Sequence, residues 1–285
     1  MVIQELLKWG TDALEKIEYS DPRQETRLIL AQLLGVDRSY LYAHGDLEVP
    51  DYIKDKFIMI IDRRRAGEPL QYILGTQEFM GIELKVDKGV LIPRGDTELL
   101  VEWIISYIDE KLDGRPYRML DIGIGSGAIA LAVAYHRPDG QIIGVDISRE
   151  ALKIAEENRK RIQLDNVSFM ESDLFSSLEK EYLVSFDIIV SNPPYIPERD
   201  IESLQIEVRL HEPRLALSGG EDGLDYYRKI TAEAGKYLAK DGILIYEIGA
   251  GQGADVADIM KTNGFKEITV IKDLEDRDRI VAGRQ

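Results

Sequence analysis

From Tyr117 onward, short β-branched runs recur between stretches of helical period, and this alternation constrains the fold more than any other feature. Strands are predicted over 118–122, 141–146, 167–171, 185–190, 242–248, 266–271 and 279–283, and helices over 127–136, 149–163, 224–239 and 252–262. Such spacing builds an α/β fold with a doubly wound, mostly parallel sheet. Its clearest strand contains Ile188-Ile189-Val190, a run with no polar break, as burial on both faces requires. That strand stops at Asn192-Pro193-Pro194-Tyr195, because neither proline can donate to a sheet ladder. Asn192, preceding a proline, is held extended. The outcome is a rigid lip at the carboxyl end of a buried strand, where open α/β sheets place their ligands.

The lip carries a particular set of polar groups. Asn192 offers one side-chain acceptor and two donors, and the Pro193 carbonyl lies beyond any ladder. Tyr195 adds a flat ring and a hydroxyl. A planar amide or aminopurine needs two acceptors for its NH2 group, one donor and a stacking surface. An isolated Asn-Pro-Pro is more simply a turn after a strand. Here it is joined by Tyr195 and by a second ligand-type motif upstream.

That second motif is Asp121-Ile122-Gly123-Ile124-Gly125-Ser126-Gly127, which follows a strand and opens a helix. Glycines at this place permit a tight turn and close approach of the backbone to a ligand. The spacing is Gly-x-Gly-x-Gly, different from the dinucleotide fingerprint, and no Gly-Lys-Ser/Thr of a phosphate loop follows. Asp146 ends the next strand, where an acid can take the two hydroxyls of a ribose. Asp173 ends the third and can accept from an adenine amino group, with Leu174 or Phe175 over the ring. Each acid alone could be a helix cap. Three successive strand ends bearing these groups favour an adenosyl cofactor without a pyrophosphate.

Residues 1–73 read as a small helical domain. Ile3, Leu6, Leu7, Leu14 and Ile17 form one apolar stripe. Asp21-Pro22 starts a helix that Gly35 closes, Asp37 caps a short one, and another follows Pro50-Asp51. Arg63-Arg64-Arg65 suits a helix carboxyl end, where cations face the negative dipole. Over 74–95 the period changes to two through Phe79, Ile82, Leu84 and Val86, which predicts a β-hairpin linker with Gly81 and Asp87 at turns. Asp96-Thr97-Glu98 then reads as the cap of an apolar helix from Leu99 to Leu112, a turn is expected over Asp113–Pro116, and 96–285 forms the large domain.

Composition narrows the function. The 285 residues carry 52 acidic and 36 basic side chains, a net charge of −16, which on average repels a phosphate backbone. Cysteine is absent, which removes disulfides, thiolate nucleophiles and thiolate zinc sites, and His44, His136 and His211 share no ligand spacing, so no metal is expected. No apolar run approaches the roughly 20 residues of a membrane span and no secretory leader follows Met1. A cytoplasmic protein, monomeric and away from membranes, is the expectation.

The motifs taken together resemble the class I S-adenosylmethionine-dependent methyltransferases, whose fold is Rossmann-like. Phe79-Met80-Gly81, Leu91-Ile92-Pro93-Arg94, Asn192-Pro193-Pro194-Tyr195-Ile196, Glu212-Pro213-x-x-Ala216-Leu217-x-Gly219-Gly220-x-Asp222-Gly223-Leu224 and Lys272-Asp273-Leu274-x-x-x-Asp278-Arg279 resemble more narrowly the release factor glutamine methyltransferases. Two positions depart from that family: Gly95 stands where proline is usual, and Leu174 where tryptophan is frequent. The resemblance implies methyl transfer to the amide nitrogen (N5) of the glutamine in the Gly-Gly-Gln loop of peptide chain release factors. It also implies a cofactor site of Gly123, Ile124, Gly125, Ser126, Gly127, Asp146, Asp173, Leu174 and Asn192, with Phe79 and Arg94 beside it. Asn192, Pro193, Pro194 and Tyr195 would hold the glutamine, with Asn192, Pro193 and Tyr195 serving catalysis, while the helical domain would help dock the protein substrate. Arg94 and Glu247 each admit a plain structural role as readily. The rival readings are an adenine N6-methyltransferase acting on DNA or RNA, which the acidic charge disfavours, and a non-catalytic adaptor, which the intact Asn192 disfavours. A nicotinamide-dependent oxidoreductase is disfavoured by the glycine spacing.

Overall fold

A computed structural model describes residues 1–17, 20–113 and 115–285. The expected turn over Asp113–Pro116 includes Gly114, which lies outside the described residues. The chain divides into two compact units: Met1–Gly75 with Ile206–His211, and Thr76–Gln205 with Glu212–Gln285.

The first unit is helical, with helices Ile3–Leu14, Pro22–Leu34, Arg38–Ala43, Asp51–Arg65 and Leu70–Leu74. Local chemistry sets their ends. Asp21 accepts from the backbone N–H groups of Arg23 and Gln24, Gly35 closes the same helix at φ +67°, and Asp37 accepts from the Tyr40 amide at 2.7 Å. Leu6, Leu14, Ile29, Leu30, Phe57 and Ile61 are wholly buried between the helices. Of the basic triplet, the exposed Arg63 reaches the buried Glu68, and Arg65 pairs with Asp62 at the surface. Arg64 is 3% exposed and pairs at 2.8 Å with both Glu25 and Glu207. Glu207 lies on the short helix Ile206–His211, so a buried ion pair ties that segment to the helical unit, a junction with no signature in the local sequence.

The second unit begins with a hairpin of β1 (Thr76–Phe79) and β2 (Ile82–Lys85). Met80 and Gly81 form its two-residue turn, both with positive φ, the geometry that matches the twist of paired strands. The helix that follows starts at Gly95 and runs to Lys111, so Asp96, Thr97 and Glu98 form its first turn and do not precede it. The seven-stranded sheet contains β3 (Tyr117–Ile122), β4 (Gly140–Asp146), β5 (Val167–Glu171), β6 (Phe186–Ser191), β7 (Leu238–Glu247), β8 (Lys266–Lys272) and β9 (Asp278–Arg284). Their order is β5-β4-β3-β6-β7-β9-β8, with β3 to β7 parallel and β9 antiparallel to both neighbours. The sheet is thus the mostly parallel one expected, and the connections reverse direction between β3 and β6, which opens a crevice at their carboxyl ends. Met119, Leu120, Ile188, Ile189, Val190 and Leu244 are wholly buried, with helices packed on both faces.

One boundary differs from the expectation over 224–239. The helix ends at Ala234, and Leu238 already pairs with Phe186 in β7. A register shift between Phe186 and Ile188, with Asp241 at φ +64°, lets β7 start early. The apolar pair Tyr237-Leu238 fits a helical stripe equally well, which is why period alone extends the helix.

Candidate active site

Parallel register brings the strand ends to one level. Ile122 of β3 lies opposite Val145 of β4 and Ser191 of β6, so Gly123, Asp146 and Asn192 emerge together. They border a cavity of about 190 Å³. Gly123, Ile124, Gly125, Ser126, Asp146, Asp173, Leu174, Asn192, Pro193 and Pro194 all line it.

The glycine loop is a tight turn under local control. Gly123, Gly125 and Gly127 have φ of +77°, +53° and +84°, values that a side chain tolerates poorly. A Cβ on Gly123 or Gly125 would meet nothing within 4 Å, so bare backbone faces open space there. Gly127 plays another part. It does not line the cavity but caps helix Ala128–His136, and a Cβ would press on Leu131 at 2.9 Å. Asp146 clamps the loop, its Oδ2 accepting from the Gly125 amide at 3.0 Å and its Oδ1 from the Ser148 amide at 2.8 Å. Burial raises its pKa and these amides lower it. The cap of the following helix is Ser148, not Asp146. Asp121 lies beneath, its Oδ2 accepting from the Ala130 amide at 3.1 Å, and burial pushes its carboxyl up to about 7. Remote support comes from Asn158, whose side chain joins the Lys85 backbone of β2 to the Ser126 carbonyl. A mid-helix asparagine carries no local mark of that task.

Beyond β5, Asp173 is exposed at the cavity mouth, and Leu174 is half-buried with φ +51°. A leucine in the left-handed region is strained, and the Ser172 hydroxyl holds it by donating to the Leu174 carbonyl at 2.8 Å. Tyr226 and Ser172 join the lining, and neither is singled out by the sequence.

The lip is braced from several directions. Ser191 Oγ donates to the Ile122 carbonyl at 2.7 Å, locking β6 to β3 just before Asn192. The Asn192 amide Nδ2 donates to the Thr97 hydroxyl at 3.3 Å. Among the described residues, no donor reaches Asn192 Oδ1 or the Pro193 carbonyl, so two acceptors stay unclaimed on a proline-stiffened edge of the cavity. The glycine-rich segment 219–224 lies directly on the lip. A Cβ on Gly219 would sit 2.7 Å from the Pro194 carbonyl, and one on Gly223 would collide with the Tyr195 carbonyl. Gln252 donates to the Tyr195 and Gly223 carbonyls at 3.0 and 3.2 Å.

Three expected site residues sit away from the cavity lining. Phe79 is 1% exposed in the core with Ile82, Leu84 and Leu100, because its strand turns that face inward. Arg94 forms an ion pair with the buried carboxylate of Glu212, the first residue of the Glu-Pro motif. Tyr195 packs against the core around Tyr227 and Tyr246 and supports the lip from behind. Burial and the Glu247 carboxylate push its hydroxyl up to about 12. The carboxyl-terminal motif also finds its purpose in this unit: Arg279 joins Asp273 to Asp96, each at 3.1 Å, beside Thr97.

Among the described residues, no helix is long and apolar enough to cross a membrane. Residues 5–75 match the PrmC N-terminal domain and residues 114–248 a methyltransferase domain. A release factor glutamine methyltransferase from Geobacter sulfurreducens is 42% identical over 284 residues, covering 99% of this chain and 96% of that protein. One from Clostridium botulinum is 37% identical over 287 residues, the full length of both. A methyltransferase crystal structure from Pyrococcus furiosus, 17% identical, shares the fold with a TM-score of 0.52 over 72% of this chain and 89% of that one. With the class I sheet in place and this likeness running along the whole chain, the protein belongs to the release factor glutamine methyltransferase family.

Proposed function

We propose that this protein transfers a methyl group from S-adenosylmethionine to the side-chain amide nitrogen (N5) of the glutamine in the Gly-Gly-Gln motif of peptide chain release factors. The observation that carries the reading is the pair of unclaimed acceptors, Asn192 Oδ1 and the Pro193 carbonyl, on a stiff edge beside the glycine loop. A primary amide presents two N–H bonds in one plane, and two fixed acceptors orient both.

The residues of the cavity fit the cofactor. Gly123 and Gly125 leave room for close approach, and the carboxylates of Asp146 and Asp173 suit a cation. Each Asp146 oxygen takes one amide N–H and keeps lone-pair capacity for a ribose hydroxyl. Leu174 and Tyr226 supply apolar cover for a base. When bound, S-adenosylmethionine supplies a methyl group on a sulfonium that leaves without acid assistance. An amide nitrogen is a poor nucleophile, since its lone pair is shared with the carbonyl. Asn192 and Pro193 accept its N–H bonds, hold the plane of the amide and enrich the nitrogen in electron density. Holding two reactants at near-attack geometry lowers a barrier by about 7–11 kcal/mol. The methylated nitrogen sheds one proton to water.

The helical unit, Met1–Gly75 with Ile206–His211, is the segment assigned to docking the protein substrate. A folded protein as acceptor agrees with the net charge of −16 better than a nucleic acid strand does. The test is incubation of purified protein with S-adenosylmethionine and release factor, followed by tandem mass spectrometry. One methyl on the Gly-Gly-Gln glutamine is expected. An unmodified glutamine after full incubation would overturn the reading.

A further inference from the structure

Glu247 is the last residue of β7 and lies level with Asn192, since Tyr246 pairs with Ser191. It is 2% exposed, and its Oε2 has no hydrogen-bond partner. A buried carboxylate is costly without a dedicated cation, and none is at hand. The nearest one, Arg279, is already engaged with Asp273 and Asp96. The uncharged side chains that act on the Glu247 carboxyl are those of Thr97 and Asn192, and both favour its ionised form. Thr97 is itself 4% exposed, and its oxygen receives Asn192 Nδ2 at 3.3 Å. The bonded pair Asn192–Thr97 thus lies at the level of a buried group that, when ionised, can only accept.

We propose that Glu247 is a positioning residue: with the Thr97 hydroxyl it holds Asn192 Nδ2 toward the protein and thereby leaves Oδ1 as the acceptor for the substrate amide. This deepens the methyl-transfer reading and rests on it. An asparagine amide that is free to flip would present NH2 to the substrate nitrogen half the time, a donor where an acceptor is required. The ionised carboxylate has no proton to give, so it permits a single orientation of the pair. A protonated Glu247 has an O–H of its own, competes for Asn192 Oδ1 and removes that bias.

The balance falls in the working pH range. Burial pushes the carboxyl up to about 7, and Asp96 on helix Gly95–Lys111 adds to the rise. Thr97 on the same helix, Arg279 on β9 and Asn192 after β6 act in the opposite sense. Tyr195 and Tyr227 face the carboxyl from the lip and from helix Asp225–Ala234, and Tyr227 donates its hydroxyl to the Glu247 backbone carbonyl at 3.0 Å. Turnover therefore rises with pH through about 7 as Glu247 ionises.

The test compares full-length wild type with Glu247→Gln, Thr97→Val and Thr97→Ser, using release factor as methyl acceptor. Glu247→Gln is expected to lower kcat by about 10- to 100-fold, the loss of hydrogen bonds to a charged group, with cofactor affinity within about twofold of wild type. The rise of kcat through about pH 7 should vanish in that variant. Thr97→Val should lose a similar factor, and Thr97→Ser, which keeps the hydroxyl, should recover most of it. A Glu247→Gln enzyme with wild-type kcat and an unchanged pH profile would overturn the proposal. So would a variant whose only change is a lower melting temperature. Should wild type itself fail to methylate release factor, the reading of the reaction falls, and the side-chain amide resonance of Asn192 still decides the positioning role. A shift of that resonance centred near pH 7 in wild type and absent in Glu247→Gln is expected. A resonance that is independent of pH, or unchanged by the substitution, would contradict it.

Discussion

The glycine loop after β3 and the lip after β6 emerge side by side from the same end of the sheet, yet they are built in opposite ways. The loop is bare backbone held by two side chains: Asp146, one strand over, takes the Gly125 amide, and Asn158 donates to the Ser126 carbonyl. The lip is stiffened covalently by two prolines and then braced by segments far away in sequence. Thr97 holds it from the start of a helix, Gly219 and Gly223 from a glycine-rich turn, and Gln252 from the beginning of another helix. The loop offers the cavity bare backbone fixed in a tight turn. The lip offers it two unclaimed acceptors on a stiff edge.

Substitutions can break this division of labour. The largest effect is expected at Asn192. Asn192→Ala removes one of two acceptors at the reacting nitrogen, and kcat should fall by at least about a thousandfold, a fraction of what positioning can contribute. Cofactor affinity measured by calorimetry should stay within a few fold. A near-wild-type rate would show that the lip is not the catalytic edge. Asp146→Ala should do the reverse. Cofactor binding weakens by about 10- to 100-fold, as for loss of a charged hydrogen bond, while kcat at saturation changes little. Unchanged cofactor affinity would remove its ribose role.

The brace comes next. Gly223→Ala places a methyl against the Tyr195 carbonyl at a residue with φ +79°, and should destabilise the fold by about 1–3 kcal/mol. Because the collision lies on the lip, kcat should drop with it while cofactor affinity holds, and a variant with full stability and rate would show that the lip tolerates movement. A smaller effect concerns pH. Asp121 and Glu247 are both pushed up to about 7 by burial, so folding favours their protonated forms. Their contribution to stability is complete below the ordinary carboxylate range and is lost as pH rises through about 7. Thermal melts should show Glu247→Gln gaining on wild type as pH rises. A difference independent of pH would place the ionisation elsewhere. The smallest effect is expected at Gly95, the first residue of its helix, where a Cβ would meet nothing within 4 Å. Gly95→Pro should raise stability by about 0.4–1 kcal/mol, read from chemical denaturation, and a loss would mean that the Gly95 amide is in use.

The same contrast decides how much of the molecule is legible in its sequence. The sheet is readable because β-branched runs and intervening helical periods are local signals, and so are the cap at Asp21 and the turn at Gly81. Gly123, Gly125, Asp146 and Asn192 are readable because their motifs lie at strand ends, where topology assembles them without further instruction. Asn158, Gln252 and Thr97 are not, since each is an ordinary polar residue in a helical stretch whose partner at the loop or lip is remote in the chain: Ser126 for Asn158, Tyr195 for Gln252 and Asn192 for Thr97. Phe79 shows the converse case. Its motif is recognisable, but the pleat of a four-residue strand turns the ring into the core. Helix Ile206–His211 belongs with the helical unit through the Arg64–Glu207 pair, a contact that no periodicity encodes.

One measurement bears most directly on the claim that the lip accepts the amide of a protein glutamine. Purified protein is incubated with methyl-labelled S-adenosylmethionine and, in parallel, with release factor, with release factor carrying Gln→Ala in its Gly-Gly-Gln loop, and with total nucleic acid. Label entering only the intact release factor is the expected result. Label entering nucleic acid, or entering both forms of the release factor equally, would contradict it.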